Sequence, residues 1–239
     1  LGTDAARLRA RALTADWLQT GWEEDIADAP EVAGARISAW LGHWDFFAAT
    51  AEDVFRRQVM QRLAQDARDL VGALPAEDEH RGALVALKGA LAAAVALEED
   101  AYLQRAIRFL PAEIERQFLP DGGHVERSPA QQLAALQDLI EIRNLLHGVG
   151  VEAPPHLSAA LDRAAPALRL FRHGDGGLAL FNGAREESSA LVDLVLTQGQ
   201  ARGRGAVELP EAGFQRLQAG RTVIIMDAGP PARGRAGTM

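Results

Sequence analysis

The feature that most constrains the fold of this 239-residue chain is a change of pattern near residue 173. Before it, apolar residues recur at intervals of three and four, as in residues 54–74, which is the period of an amphipathic helix. After it, residues 174–177 (Gly-Asp-Gly-Gly) are typical of a turn, and short β-branched runs replace the helical stripes. The sequence therefore predicts helices first and strands later.

The helical part divides into segments joined by short links, which implies antiparallel neighbours. Residues 82–97 are apolar on nearly every face but are shorter than the ~20 residues of a membrane span. They predict an inner helix, and no membrane span is expected. Thr50 is the predicted N-cap of the third helix, and Ser128-Pro129 has the chemistry of a helix start. The predicted helices are residues 4–18, 32–47, 51–74, 82–97, 102–118, 129–146 and 157–171.

Strands are predicted at residues 178–182 and 222–227, with residues 191–196 as a third candidate. Three short strands leave sheet edges open, so they are expected to pack on the helices or to be joined by further strands. The first residue is Leu1 and not Met. We therefore expect the chain to be an excerpt of a longer protein.

Composition and charge exclude several classes of function. The chain has no Cys, which rules out thiolate catalysis, iron–sulfur ligation and Cys-containing zinc sites. Its net charge is −8, and because acids and bases balance from Gly174 onward, the whole excess lies in the helical part. This balance argues against nucleic-acid binding, which needs a basic footprint. No H-E-x-x-H or EF-hand spacing occurs, so neither a metal nor another cofactor is predicted.

The densest polar cluster is residues 121–129 (Asp-Gly-Gly-His-Val-Glu-Arg-Ser-Pro), between two predicted helices. His124, Glu126 and Arg127 come just before a helix N-terminus, which favours anions. These three are the candidate catalytic residues, because they could perform acid–base chemistry on an acidic sugar. The alternative is structural: a turn at Asp-Gly-Gly, ion pairs at Glu126 and Arg127, and a bond from His124 to a backbone carbonyl.

A second cluster lies where the pattern changes. Arg172, His173 and Asn182 are predicted at a helix–sheet junction, where clefts often form, and are candidate substrate-binding residues. The alternative is a hairpin in which Asp175 and Asn182 serve as turn residues.

Residues 121–129, 171–183 and 213–231 together resemble the heparinase II/III-like family, and most of all its alphaproteobacterial branch. The resemblance implies a mainly α fold: an (α/α) incomplete toroid of antiparallel helix pairs, followed by an antiparallel β-sandwich. The implied domains are a toroid at residues 1–173 and the start of a truncated sandwich at residues 174–239.

The resemblance also implies an activity. Enzymes of the family are polysaccharide lyases that cleave uronic-acid-containing glycans by β-elimination, with the developing carbanion stabilised by the site. The implied partner is an acidic polysaccharide or oligosaccharide, with no cofactor. The implied location is the periplasm or cell envelope, with the cytoplasm left open, and the oligomeric state is not predicted.

The chain departs from the lyase pattern at two points. Many lyases have a Tyr-His pair where this chain has Gln131 and Gln132, and Gln cannot act as a phenolic acid or base. We assign Gln131 and Gln132 to substrate binding. No Asn-His pair occurs on the preceding helix, where residues 95–98 are Val-Ala-Leu-Glu.

Three hypotheses therefore stay open: a lyase, a non-catalytic glycan-binding or envelope-associated relative, and a helical scaffold for protein interactions. Four tryptophans are candidates for either sugar stacking or core packing: Trp17, Trp22, Trp40 and Trp44.

Overall fold

A computed structural model describes residues 2–20, 24–76, 80–199 and 205–230. It confirms a mainly α chain in which strands follow the helices. The helices are α1 (Asp4–Thr20), α2 (Glu24–Ala27), α3 (Pro30–Gly42), α4 (Trp44–Phe47), α5 (Asp53–Gly72), α6 (Gly82–Ala96), α7 (Asp100–Gln117), α8 (Pro129–Gly148), α9 (Pro155–Leu170) and α10 (Ser189–Gln198).

Two helix boundaries differ from the prediction. The segment predicted at residues 32–47 is divided at His43 into α3 and α4. Helix α5 begins at Asp53 after Glu52, and not after Thr50, because the Thr50 hydroxyl accepts a hydrogen bond from Arg11 Nη2 at 2.7 Å instead. Ser128 does stand at the start of α8, but its side chain makes no capping bond.

The chain forms two compact units, Leu1–Asp78 with Val85–Phe109, and Glu79–Leu84 with Leu110–Met239. In the first unit, Trp17 of α1 meets Trp40 of α3 edge to face, with ring centroids 5.4 Å apart. The Arg36 guanidinium lies 4.5 Å from the Trp17 ring and pairs with the buried Asp66 at 2.8 Å. These two tryptophans therefore pack between helices, whereas Trp22 lies outside the described residues.

Two glycines let α3 and α6 approach closely in the first unit. A Cβ added to Gly89 would lie 2.3 Å from Gly34 Cα, and one added to Gly34 would lie 2.7 Å from Ala86 Cα. Real Cβ atoms do not approach so closely, so the backbone contact requires both glycines. Helix α6 is buried along most of its length, as expected for an inner helix.

In the second unit, α8 and α9 pack against each other through their apolar faces. The residues of α8 that the pattern assigned to the core are at most 2% exposed. This confirms the predicted buried face, which consists of Leu133, Leu136, Leu139, Ile140 and Leu146.

The second unit also holds an antiparallel sheet in the order β1 (Glu208–Leu209), β2 (Phe214–Ala219) and β3 (Thr222–Asp227). The register pairs Phe214 with Asp227 and Leu217 with Ile224. Strand β3 confirms one prediction, while β2 was not predicted as a strand.

Two other strand predictions were wrong. Residues 191–196 lie in helix α10, because Val192, Val195 and Leu196 have helical spacing and are buried together. Residues 178–182 form no strand: a single bridge joins Leu178 to Arg172.

The domain division at residue 173 stays a prediction. Among the described helices, none has the length and apolar character needed to cross a membrane.

Candidate functional site

The loop between α7 and α8 is held in a tight turn. Gly122 has φ +85°, and a Cβ there would meet Arg163 O at 2.3 Å, so only glycine fits. The Asp121 carboxylate accepts from Gly123 N at 2.9 Å through one oxygen. Its other oxygen accepts from Glu211 N and Ala212 N at 2.7 and 2.8 Å. Asp121 thus fastens the loop to the segment that leads into β2.

His124 is 1% exposed, and the described contacts occupy both of its ring nitrogens. Nε2 lies 2.9 Å from Gln117 Oε1, and Nδ1 accepts from Glu126 N at 3.3 Å. Because Gln117 Nε2 donates to His80 O, its Oε1 is the acceptor and His124 Nε2 carries the hydrogen. Burial, reinforced by the charges of Arg81 and His80, lowers the pKa of His124 to about 3. The imidazole is therefore neutral at physiological pH.

The structure adds His80 and Arg81 to the predicted cluster. His80 Nδ1 lies 3.8 Å from Glu126 Oε1, and Glu126 itself is 5% exposed. Arg81 Nε donates to Gln131 Oε1 at 3.2 Å, and its Nη1 pairs with the buried Asp138. The two residues directly precede α6, and no motif in the sequence marks them. Only the folding of the chain brings them to Glu126 and Gln131.

Arg127 and Asn182 lie together at the β2–β3 hairpin. Arg127 is 6% exposed, pairs with Asp227 and donates from Nε to Ala212 O at 2.7 Å. Its guanidinium carbon lies 5.1 Å from the Phe214 ring centroid. Asn182 Nδ2 donates to Arg127 O at 2.8 Å and to Asp227 Oδ2 at 3.1 Å. These bonds hold the hairpin on the helical layer of its unit.

The two glutamines have different surroundings. Gln132 is 1% exposed; its Oε1 accepts from His124 N at 2.6 Å, and its Nε2 donates to Gly122 O and Ala164 O at 3.0 Å each. Gln131 is only partly buried and contacts Arg81. Gln132 therefore holds the loop through buried hydrogen bonds, whereas Gln131 lies at the solvent-accessible border beside Arg81.

Arg172 and His173 line a cavity of about 570 Å³ in the second unit. The other ionisable residues that line it are Arg169 of α9 and Arg216 of β2. Arg172 Nη2 pairs with Asp193 Oδ1 at 2.5 Å, and Arg216 Nη1 donates to Leu170 O at 3.0 Å. The cavity is basic in a chain whose net charge is −8.

The predicted site residues thus fall into three groups. His124, Glu126 and Gln132 are buried in one polar network that Gln131 borders through Arg81; Arg127 and Asn182 meet at the hairpin; Arg172 and His173 line the basic cavity. Among the described residues, no group of three or more His, Asp or Glu side chains is arranged to hold a metal ion.

Comparison with known proteins gives one sequence relative and several solved structures. FtsZ-localized protein C of Caulobacter vibrioides (strain NA1000 / CB15N) is 30% identical over 237 residues, covering 98% of this chain and 41% of the relative. The chain therefore spans about two fifths of that relative's length.

The solved structures show the fold. Heparinase III superposes with a TM-score of 0.73 at 15% identity, covering 99% of this chain and 43% of that one. A mutant of the heparan sulfate lyase HepC from Pedobacter heparinus superposes with a TM-score of 0.65 at 20% identity, covering 97% of this chain and 42% of that one. The helical part therefore has the fold of the N-terminal toroid region of heparinase III.

The family described as Heparinase II/III N-terminus matches residues 55–201, which is more than half of the chain. The match contains the 121–129 loop, Arg172 and His173. This chain belongs to the heparinase II/III N-terminus family.

Proposed function

We propose that this chain is part of a family member that binds an acidic glycan without cleaving it. The observation that carries the proposal is the burial and hydrogen bonding of Gln132. This residue occupies one of the two positions where many lyases have the Tyr-His pair. Its amide is buried and bonded on both sides to backbone groups. An amide exchanges no proton near neutral pH, and this one is also out of reach of a polymer.

The other candidate acid–base groups are equally ill placed for β-elimination. General acid–base catalysis works best with a pKa near the operating pH. The pKa of His124 is lowered to about 3, and both of its nitrogens are engaged. Glu126 and Arg127 are 5% and 6% exposed, so neither presents its head group to a glycan. We therefore regard His124, Glu126 and Arg127 as residues that position the loop and the hairpin.

Glycan binding is supported by the solvent-accessible border of the same network. The side chains of His80 and Arg81 are 31% and 29% exposed, and Gln131 lies beside Arg81. Imidazole, guanidinium and amide groups all donate hydrogen bonds to carboxylates and sugar hydroxyls. This border could hold a uronate residue through such hydrogen bonds.

A binding titration of the full-length protein tests the proposal. We expect saturable binding of heparan sulfate or alginate oligosaccharides by calorimetry, weakened about tenfold by His80→Ala or Gln131→Ala, since each removes a hydrogen bond to a charged group. His156→Ala is the matched control, because His156 is a 53% exposed histidine of the same unit away from Gln131's contacts. The proposal would be contradicted if neither variant weakened binding, or if the unmodified protein bound no oligosaccharide at all.

The 30% identical relative favours a second candidate function. Its name states that it is localised with FtsZ, and its match covers nearly the whole of this chain. We propose that the full-length protein also localises with FtsZ. Imaging a fluorescent fusion of the full-length protein together with labelled FtsZ tests this, and a diffuse signal that ignores FtsZ would contradict it.

The β2–β3 hairpin supports the proposed division into a toroid and the start of a sandwich. One face of the hairpin packs inward through Phe214, which is 1% exposed. The opposite face carries Leu217, Ile224 and Met226, which are 56%, 53% and 43% exposed. An apolar sheet face of this kind is what a second sheet of a sandwich covers.

A further inference from the structure

The basic cavity of the second unit has the size and the lining of a small-molecule site. Its volume of about 570 Å³ lies within the ~300–1,000 Å³ typical of small-molecule sites. It is therefore larger than a bare inorganic ion needs. The described ionisable side chains that line it are all basic: Arg169, Arg172, His173 and Arg216.

Its donors come from separate segments and converge on one space. Arg169 lies in the last turn of α9, Arg172 and His173 follow that helix, and Arg216 lies on β2. The remaining lining residues are Gln218 and small or apolar residues, including Gly174, Gly176 and Gly205, which leave room beside the guanidinium groups.

Arg172 and Arg216 are held in place by partners that leave part of each guanidinium available. The described bonds of Arg216 go from Nη1 to Leu170 O and Arg172 O, so its Nε and Nη2 hydrogens remain for a ligand. Arg172 uses Nη2 on Asp193 and Nε on Gly176 O, which orients the group and offsets one charge. The carboxylate of Asp175, two residues after His173, accepts a hydrogen bond from Gly177 N at 2.9 Å and has no described bond to a cavity arginine. The cavity thus presents preordered cationic donors.

This chemistry defines the ligand. Guanidinium groups match the geometry of oxyanions, and several of them around one space suit a tetrahedral oxyanion better than a single carboxylate. Among the described lining residues there is no Trp, Tyr or Phe, so they offer no stacking platform for an uncharged sugar ring. We propose that this cavity binds a small phosphate or sulfate ester through its oxyanion group.

Calorimetry on the full-length protein with four probes tests the proposal: glucose 6-phosphate, glucose 6-sulfate, glucose and inorganic phosphate. We expect at least one ester to bind, inorganic phosphate to bind more weakly than glucose 6-phosphate, and glucose to give no heat. Tighter binding of the phosphate ester would identify phosphate as the preferred group. Equal or tighter binding of the sulfate ester would identify sulfate as the preferred group.

Three variants locate the binding. Arg172→Gln and His173→Gln should each weaken ester binding about tenfold, since each removes a charged donor. His173 is exposed and has no described side-chain bond, so His173→Gln decides the matter if Arg172→Gln fails to fold. Arg57→Gln removes an exposed arginine of α5 and should leave the affinity unchanged.

Absence of ester binding, or ester binding that neither cavity variant weakens, would overturn the proposal. Alginate oligosaccharides distinguish this outcome from that of the glycan proposal, because they carry uronates but no sulfate or phosphate ester. Their binding should depend on His80 and Gln131, which do not line this cavity.

Discussion

The neutral imidazole of His124 is a consequence of its surroundings. Charging it would place a cation in a nearly dry site that already faces Arg81 and His80. Glu126 and Glu113 lie in the same network, through His80 and Gln117 respectively, but the net effect on the pKa is downward. His124 donates from Nε2 to Gln117 Oε1 and accepts at Nδ1 from Glu126 N, and both hydrogen bonds are those of a neutral imidazole.

This lowered pKa predicts a pH-dependent contribution to stability. The unfolded chain binds a proton on His124 near its ordinary pKa of 6.5, whereas the folded chain does so only near 3. The contribution is therefore complete above pH 6.5 and is lost as the pH falls from 6.5 towards 3, at about 1.4 kcal/mol per pH unit. Between pH 7.5 and pH 5, the stability difference between wild type and His124→Gln should shrink by about 2 kcal/mol. Urea unfolding at both pH values measures it; an unchanged difference would mean that His124 is not buried in its neutral form.

The Arg127–Asp227 pair should be essential because both partners are largely removed from water. Arg127→Met leaves Asp227 without its cation and should cost about 3 kcal/mol, as for other broken buried pairs. The double variant Arg127→Met/Asp227→Leu should recover much of this loss. Arg57→Met, at an exposed position, is the control and should change the free energy of unfolding by less than about 0.5 kcal/mol. A cost for Arg127→Met as small as that of the control would rule out a clamping role.

At the scale of elements, the approach of α3 to α6 depends on the absence of side chains at Gly34 and Gly89. An alanine normally favours an interior helix position over glycine by up to ~1 kcal/mol. Here the backbone of the neighbouring helix occupies the space that the methyl group needs. The steric cost must therefore exceed the gain in helix propensity.

We predict that Gly89→Ala destabilises the protein by about 1–3 kcal/mol, the usual cost of overpacking. Gly72→Ala is the matched control, because a Cβ there meets nothing within 4 Å and should be neutral or slightly stabilising. Thermal unfolding followed by circular dichroism compares them. A Gly89→Ala variant as stable as the Gly72→Ala variant would contradict the close helix crossing.

Helices were predictable from sequence where one face is apolar, as in α8, whose core residues Leu136 and Leu139 are fully buried. Strands were less predictable. The apolar run at residues 191–196 is too short to distinguish the period of a helix from that of a strand. Strand β2 contains so many polar residues that its sequence gave no strand signal. His80 and Arg81 could not be predicted as neighbours of Glu126 and Gln131, because 46 to 50 residues separate them in the sequence and only tertiary packing joins them.

At the scale of the whole molecule, the exposed face of the hairpin predicts effects of different size in two contexts. If further strands cover Leu217 and Ile224, replacing both by Thr should destabilise the full-length protein by about 2–4 kcal/mol. In the 239-residue chain the same change should alter stability by less than about 1 kcal/mol, because both side chains are exposed there. Urea unfolding of both chains measures this, and equal effects in the two would contradict a covering sheet.

The family fold in this chain holds a loop whose polar groups are largely used in internal bonds. Gln132, His124 and Arg127 join α7, α8 and the hairpin, and they leave His80, Arg81 and Gln131 at the accessible border. A family fold does not by itself imply the family's chemistry, which depends on the groups at the site. Binding without cleavage is the central claim that follows.

Ultraviolet absorbance of the unsaturated product of β-elimination tests this claim most directly. The full-length protein, in excess over heparan sulfate or alginate oligosaccharides that it demonstrably binds, should produce no rise in absorbance over hours, with an active lyase as the positive control. A time-dependent rise that scales with protein concentration would contradict the account and restore the lyase function.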